Sequence, residues 1–323
     1  MKSKTNILKD NEKVGVSKVT TSVTFWRTVG IVMFGLFVFF QLFSVNIKPK
    51  FKLPGGLVGG LVDKNDTEVD TDILQKAVIP ENGVELPITW GDLGATMVED
   101  GVIDEVKFRE LFPEGFDEQE ERMLVGGNNE KITMTEQNSR YMLDMLWAFG
   151  LANKNEILTS GEMTSEQYGG DASKFASTGG WSLSRGNVMN HYSMHPYVVL
   201  DADQQDLVDK VSLNIFRPCC GNSTHFPDCN HGMAMLGLLE LMAANNVDEK
   251  QMYQVALKVN SYWFPQTYID LAVYFEEQGQ KWNDVDPKLV LGQEYSSGQG
   301  YAQTRKKIIS LPTPAAGGGG CGV

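Results

Sequence analysis

The chain has 323 residues, 42% of them hydrophobic and 10% aromatic, with 28 Lys and Arg against 41 Asp and Glu. That balance describes a globular protein rather than a disordered one, long enough for one domain of about 230 residues behind a non-globular N-terminal stretch. Residues 1–52 hold nine Lys or Arg against Asp10 and Glu12, so the remainder is strongly acidic, and an acidic body without a basic stripe argues against nucleic acid as a partner.

The first element in chain order is an apolar run. Residues 29–45 are seventeen uncharged residues, flanked by Arg27 on one side and by Lys48, Lys50 and Lys52 on the other, with Phe25 and Trp26 as an aromatic pair at one end. This predicts a single transmembrane helix over 25–46 behind a basic tail over 1–24. No small-x-small pattern follows the run, so it is expected to remain as an anchor rather than be cleaved as a signal peptide. Basic residues near the two ends balance, and Lys2 and Lys4 tip the excess to the N-terminal side. The expectation is a cytoplasmic tail and an extracytoplasmic domain, a setting in which disulfides persist. Residues 47–85 are expected to be a flexible linker, because 53–62 contains two glycine pairs and 63–72 is acidic and polar.

Beyond the linker, helical periodicity dominates, predicting a mainly α globular domain over 86–310 with long loops. Thr135 is placed to cap a helix carrying Tyr141, Met142, Met145, Leu146 and Phe149 at i, i+3, i+4 spacing. Residues 161–186 are rich in Gly, Ser and Thr and read as a long loop. Asp203 would cap a helix over 204–216 with Leu207, Val208, Val211 and Ile215 on its apolar side, ending near Pro218. Residues 232–244 are apolar nearly all round, with Glu240 the only charge, which suits the middle of a bundle. Asp248 with Gln251 has capping-box spacing, and Pro265 suits the first position of the next helix. With no alternating strand pattern in this half, the expectation is a bundle of antiparallel helices with a looped N-terminal subregion.

The chemistry is concentrated. Of eight Cys and His residues, seven lie within 41 residues: His191, His195, Cys219, Cys220, His225, Cys229 and His231. The eighth, Cys321, stands in the glycine-rich tail over 311–323. A short connection between two helices leaves them as neighbours, so Cys219 and Cys220 should approach Cys229 and His231 at the start of the next helix. There, unpaired N–H groups and the positive end of the helix dipole favour a thiolate.

Three uses of such a cluster are distinguishable. Sulfur with imidazole suits zinc or copper, with Cys219, Cys220, Cys229 and His231 as ligands, completed by His191 or His195. Met189, Met194, Met233 and Met235 add thioethers that would favour Cu(I). Four cysteines in an extracytoplasmic domain also allow structural disulfides, with Cys220–Cys229 the pair that would staple the connection. Finally, Cys321 on its glycine tether could exchange with Cys219, Cys220 or Cys229, or with a thiol partner protein. His225, in a loop beside Pro227, belongs least to the group.

Other catalytic patterns are poor matches. Residues 180–184 carry Ser where a nucleophile elbow has its last Gly, with no preceding strand, and no His-Glu-x-x-His, haem box or phosphate-binding loop occurs. No reaction is singled out. The expectation is a membrane-anchored extracytoplasmic domain that binds copper or zinc, with thiol exchange and a disulfide-stapled scaffold as the alternatives.

Overall fold

The structure, a computed structural model, describes residues 70–127 and 131–311. The expected basic tail, the transmembrane segment, most of the linker and Cys321 lie outside the described residues. Among the described residues no helix is long and apolar enough to cross a membrane.

Order begins earlier than the expected linker boundary at 85. Helix α1, Thr71–Val78, starts where Asp70 accepts the N–H groups of Asp72 and Ile73, both at 3.1 Å. Its Leu74 and Val78, spaced i, i+4, are buried. Two apolar residues behind an acidic stretch are a weak local signal, yet packing uses both. Strand β1, Val84–Leu86, pairs antiparallel with β2, Ile132–Met134, so that Leu86 faces Ile132 across the ladder. Between the strands run α2 (Leu93–Asp100), α3 (Glu105–Glu110) and α4 (Glu118–Val125). An aromatic cluster of Phe108, Phe112, Phe116 and Tyr141 ties this looped subregion to the bundle.

Helix α5, Ser139–Ala152, begins four residues after the expected cap at Thr135. Thr135 and Asn138 hold each other instead: the Thr135 N–H donates to Asn138 Oδ1 at 2.8 Å, and the Asn138 N–H donates to Thr135 Oγ1 at 3.3 Å. After α6 (Glu156–Ser160), the expected loop over 161–186 is present but wound into short 3-10 turns. It is pinned where Trp181 Nε1 donates to the Val102 carbonyl at 2.8 Å and Trp147 Nε1 to the Ser177 carbonyl at 2.6 Å.

Helix α7, Ala202–Ser212, is shorter than the 204–216 expected and starts earlier, because Asp201 with Gln204 forms a complete capping box. Next come α8 (Asn230–Ala244), α9 (Glu249–Trp263, capped by Asp248) and α10 (Pro265–Glu277, with Pro265 at its first position). The short helices α11 (Pro287–Leu291), α12 (Gln293–Ser296) and α13 (Gly298–Arg305) follow.

The central pair departs from the antiparallel expectation. Helices α5 and α8 run side by side in the same direction, with Gly150 against Gly237 and the Asn153 amide donating to Glu240 Oε2 at 2.7 Å. A Cβ on Gly150 would sit 2.3 Å from the Met233 carbonyl oxygen, so the backbones touch only because both positions are glycine. The chain between 161 and 201 comes back to the end of α5, where Gln205 donates to Asn155 at 3.1 Å and Val198 to Asn153 at 2.9 Å, and α7 then runs back to the start of α8, which makes the parallel arrangement feasible. The expected antiparallel relation holds for α7 with α8, where Gln204 reaches Asn246, and for α8 with α9, where His231 meets Trp263.

Candidate metal centre

The connection from α7 to α8 folds back on itself. The Thr224 N–H donates to the Ile215 carbonyl at 2.8 Å, the His225 N–H donates to that of Ser212 at 3.2 Å, and Phe216 bridges Ser223. This pairing throws residues 217–222 into a turn, from which the side chains of Arg217, Cys219 and Cys220 meet the start of α8. The turn is fixed from outside by α13: the Gly298 N–H donates to the Cys220 carbonyl at 2.7 Å, and a Cβ on Gly298 would lie 3.0 Å from the Pro218 oxygen. Cys229 occupies the N-cap of α8 in extended conformation.

The sulfur atoms of Cys219 and Cys229 stand 3.6 Å apart. A ring nitrogen of His231 joins them, all three ligand atoms lying within 4.8 Å of one another. His231 is buried against Phe264, ring centres 4.4 Å apart, and meets Trp263 edge-on. Cys219, Cys220 and Cys229 are free, so the Cys220–Cys229 bridge suggested by parity is not formed, and the sulfur pair in contact is Cys219 with Cys229.

Arg217 organises this turn. It is 1% exposed, and its guanidinium donates to Cys229 Sγ at 2.9 Å, to Asp228 Oδ1 at 2.6 Å and to the carbonyls of Asn222 and Phe226 at 3.1 Å each. The cation lies flat on α8 at Gly232, where a Cβ would be 2.5 Å from its Cζ. Asp228 is held in turn by the Asn222 amide at 2.9 Å. A second group of ligand-type atoms, Cys220, Asp228 and Cys229, also lies within 4.8 Å. The guanidinium already bonds to two of those three atoms, so this pocket is filled by a fixed organic cation.

Ionisation within the sulfur group is unequal. Thiol donation from Cys219 and then Cys220, together with the Arg217 charge and His231, holds Cys229 well below the ordinary thiol range despite its burial. Hydrogen bonding to Cys220 and Cys229 and burial push Cys219 far up. For Cys220, the downward pull of Cys219 is outweighed by Cys229 and burial, and it is pushed up to about 11. The balance thus favours the negative charge on Cys229 over Cys219.

The remaining histidines lie elsewhere. His195 bridges Asn153 just past the end of α5, whereas His231 opens α8 nine residues before Glu240, the partner of that same Asn153. Nine residues of helix are about 14 Å of rise. His191 Nδ1 and His195 Nε2 face each other at 3.1 Å, with His195 Nδ1 at 3.3 Å from Asp100 and Tyr197 Oη donating to the same carboxylate at 2.9 Å. Those two rings form their own hydrogen-bonded chain and do not reach the sulfur group. His225 Nδ1 lies 3.6 Å from Glu162.

Sequence reasoning passed over Arg217 and Asp228. The available signal was their adjacency to the cysteines, in Arg217-Pro218-Cys219-Cys220 and Asp228-Cys229, since charges beside a cysteine pair are natural partners for a thiolate. No family model matches the chain, nor does any curated protein or solved structure.

Proposed function

We propose that this chain binds a soft transition metal ion, copper or zinc, through Cys219, Cys229 and His231, in a domain that the apolar run at 29–45 anchors to a membrane on its extracytoplasmic side. One observation carries the metal reading: two sulfurs and an imidazole nitrogen converge within 4.8 Å. Their support is rigid on three sides, from Arg217 behind Cys229, Phe264 against His231 and α13 against the turn. Ligands held in place before the ion arrives are what a selective site requires.

The test is elemental analysis of the full-length chain purified under reducing conditions. About one equivalent of metal is expected. Cys229→Ser should lose it, and Cys321→Ser should retain it. A metal-free protein that takes up no zinc or copper on titration would refute the reading.

A second reading, thiol exchange, is favoured by the lowered pKa of Cys229 beside Cys219. The Cys229 thiolate would attack a partner disulfide and release one partner thiolate. Cys219, giving up its proton, would then displace the second sulfur, leaving a Cys219–Cys229 disulfide and a reduced partner. Cys321 would act as a mobile arm in this scheme. Cys229→Ser should then abolish exchange, and deleting residues 317–323 should slow it, through loss of the Cys321 arm, without shifting the melting temperature.

A further inference from the structure

We infer that the ion is divalent and tetrahedrally held, of the zinc class, and that the described protein ligands leave one of its positions open. This rests on the metal-binding reading above and narrows it by geometry, charge and ligand count.

With metal–sulfur bonds of about 2.3 Å, two sulfurs lie about 4.6 Å apart in a linear two-coordinate complex, about 4.0 Å in a trigonal one and about 3.8 Å in a tetrahedral one. The observed separation is 3.6 Å. An ion seated at ordinary bond lengths would subtend an S–metal–S angle of about 103°. Linear cuprous coordination requires these sulfurs to move apart by about an ångström, whereas tetrahedral coordination accepts them nearly where they stand. The same spacing suits the S–H···S contact of the metal-free site, so little rearrangement separates the two states.

Charge gives the same answer. Arg217 and Asp228 form an ion pair at 2.6 Å and cancel, which leaves two cysteine sulfurs and a neutral imidazole to balance the metal. Two thiolates with a divalent ion sum to zero. With a monovalent ion one negative charge remains, whereas a divalent ion neutralises the two thiolates in full. Arg217 also occupies the neighbouring Cys220–Asp228–Cys229 pocket, which restricts the centre to one ion.

Among the described residues, no fourth Cys, His, Asp or Glu atom joins Cys219, Cys229 and His231 within 4.8 Å. Three protein ligands around a tetrahedral ion is the pattern of sites that keep a position for water or an incoming molecule.

The experiment is titration of the reduced, metal-free, full-length chain with Co²⁺, followed by Zn²⁺. One equivalent of Co²⁺ should give the visible bands of a tetrahedral ion with a thiolate charge-transfer band, and Zn²⁺ should displace it. Azide should shift the bands by entering the open position, and Cys220→Ser and Cys321→Ser should keep the tetrahedral band pattern and its stoichiometry. A six-coordinate cobalt spectrum, no response to azide, or loss of the tetrahedral pattern in either serine variant would overturn the inference. Tight stoichiometric Cu(I) without Co²⁺ or Zn²⁺ uptake would overturn it while leaving metal binding intact. Uptake of none of the three ions would sink the underlying metal reading instead.

Discussion

Arg217 Nε donates to the Cys229 sulfur at 2.9 Å while the same guanidinium holds Asp228 at 2.6 Å, so one buried cation serves two anions at the mouth of α8. The pairing sets the proton inventory of the site. The thiols of its neighbours and this charge push the Cys229 pKa well down, whereas hydrogen bonding and burial push that of Cys219 up. Seating a metal between them at neutral pH should release about one proton, from Cys219, rather than two. Calorimetry in buffers of different ionisation enthalpy measures that number directly. A release of two protons would show that Cys229 is not ionised before the metal arrives.

Gly232→Ala probes the same cation without touching a ligand. The new methyl would lie 2.5 Å from Arg217 Cζ and push the guanidinium off the helix. Overpacking of this kind costs about 1–3 kcal/mol, readable as a lowered denaturation midpoint. Displacing Arg217 should also make Cys229 harder to ionise, so the pH profile of its alkylation moves upward. An unmoved profile would show that the thiolate is held by its sulfur neighbours alone.

What was legible in the sequence was local. Pro265 at a helix start, Asp248 as a cap and the uniform apolarity of 232–244 each act through the nearest turn of chain, and each stands where expected. The meeting of Cys219 with Cys229 was legible for a related reason, since a short connection between neighbouring helices carries them both. The side-by-side run of α5 and α8 was not, because no local pattern says which helix Gly150 will touch. Nor was the separation of His191 and His195 from the sulfur group, which depends on their joining Asp100 from a distant helix. Arg217 was missed because a guanidinium is expected in water, and only the folded turn shows that its anions are inside.

The α5–α8 contact should tolerate no side chain. Gly150→Ala would place a methyl 2.3 Å from the Met233 carbonyl oxygen, and Gly237→Ala would place one 2.8 Å from that of Leu146. Both obstacles are backbone, so relief requires the helices to separate. Each substitution is expected to destabilise by about 3 kcal/mol, measured by chemical denaturation, although alanine is the better helix former. A gain in stability would mean that the two helices pack further apart than described.

The same pair buries a carboxyl group whose ionisation sets a pH dependence. Glu240 is completely enclosed in α8, and burial, only partly offset by the amides of Asn153 and Asn155, pushes its pKa from 4.5 up to about 8. Between those values the native chain keeps a proton that the unfolded chain has released. Its contribution to stability is thus complete below about pH 4.5 and is lost as pH climbs toward 8. Asp144 in α5, pushed by burial from 3.8 up to about 7, acts with the same sign over a slightly lower window. Glu240→Gln keeps the amide contact with Asn153 and removes the proton, so its stability profile should be flatter than that of the parent. In the alkaline range the variant should be the more stable protein, by a few kcal/mol at most. Urea denaturation at about pH 5 and about pH 9 decides the matter, because identical pH slopes in the two proteins would mean that Glu240 is charged throughout.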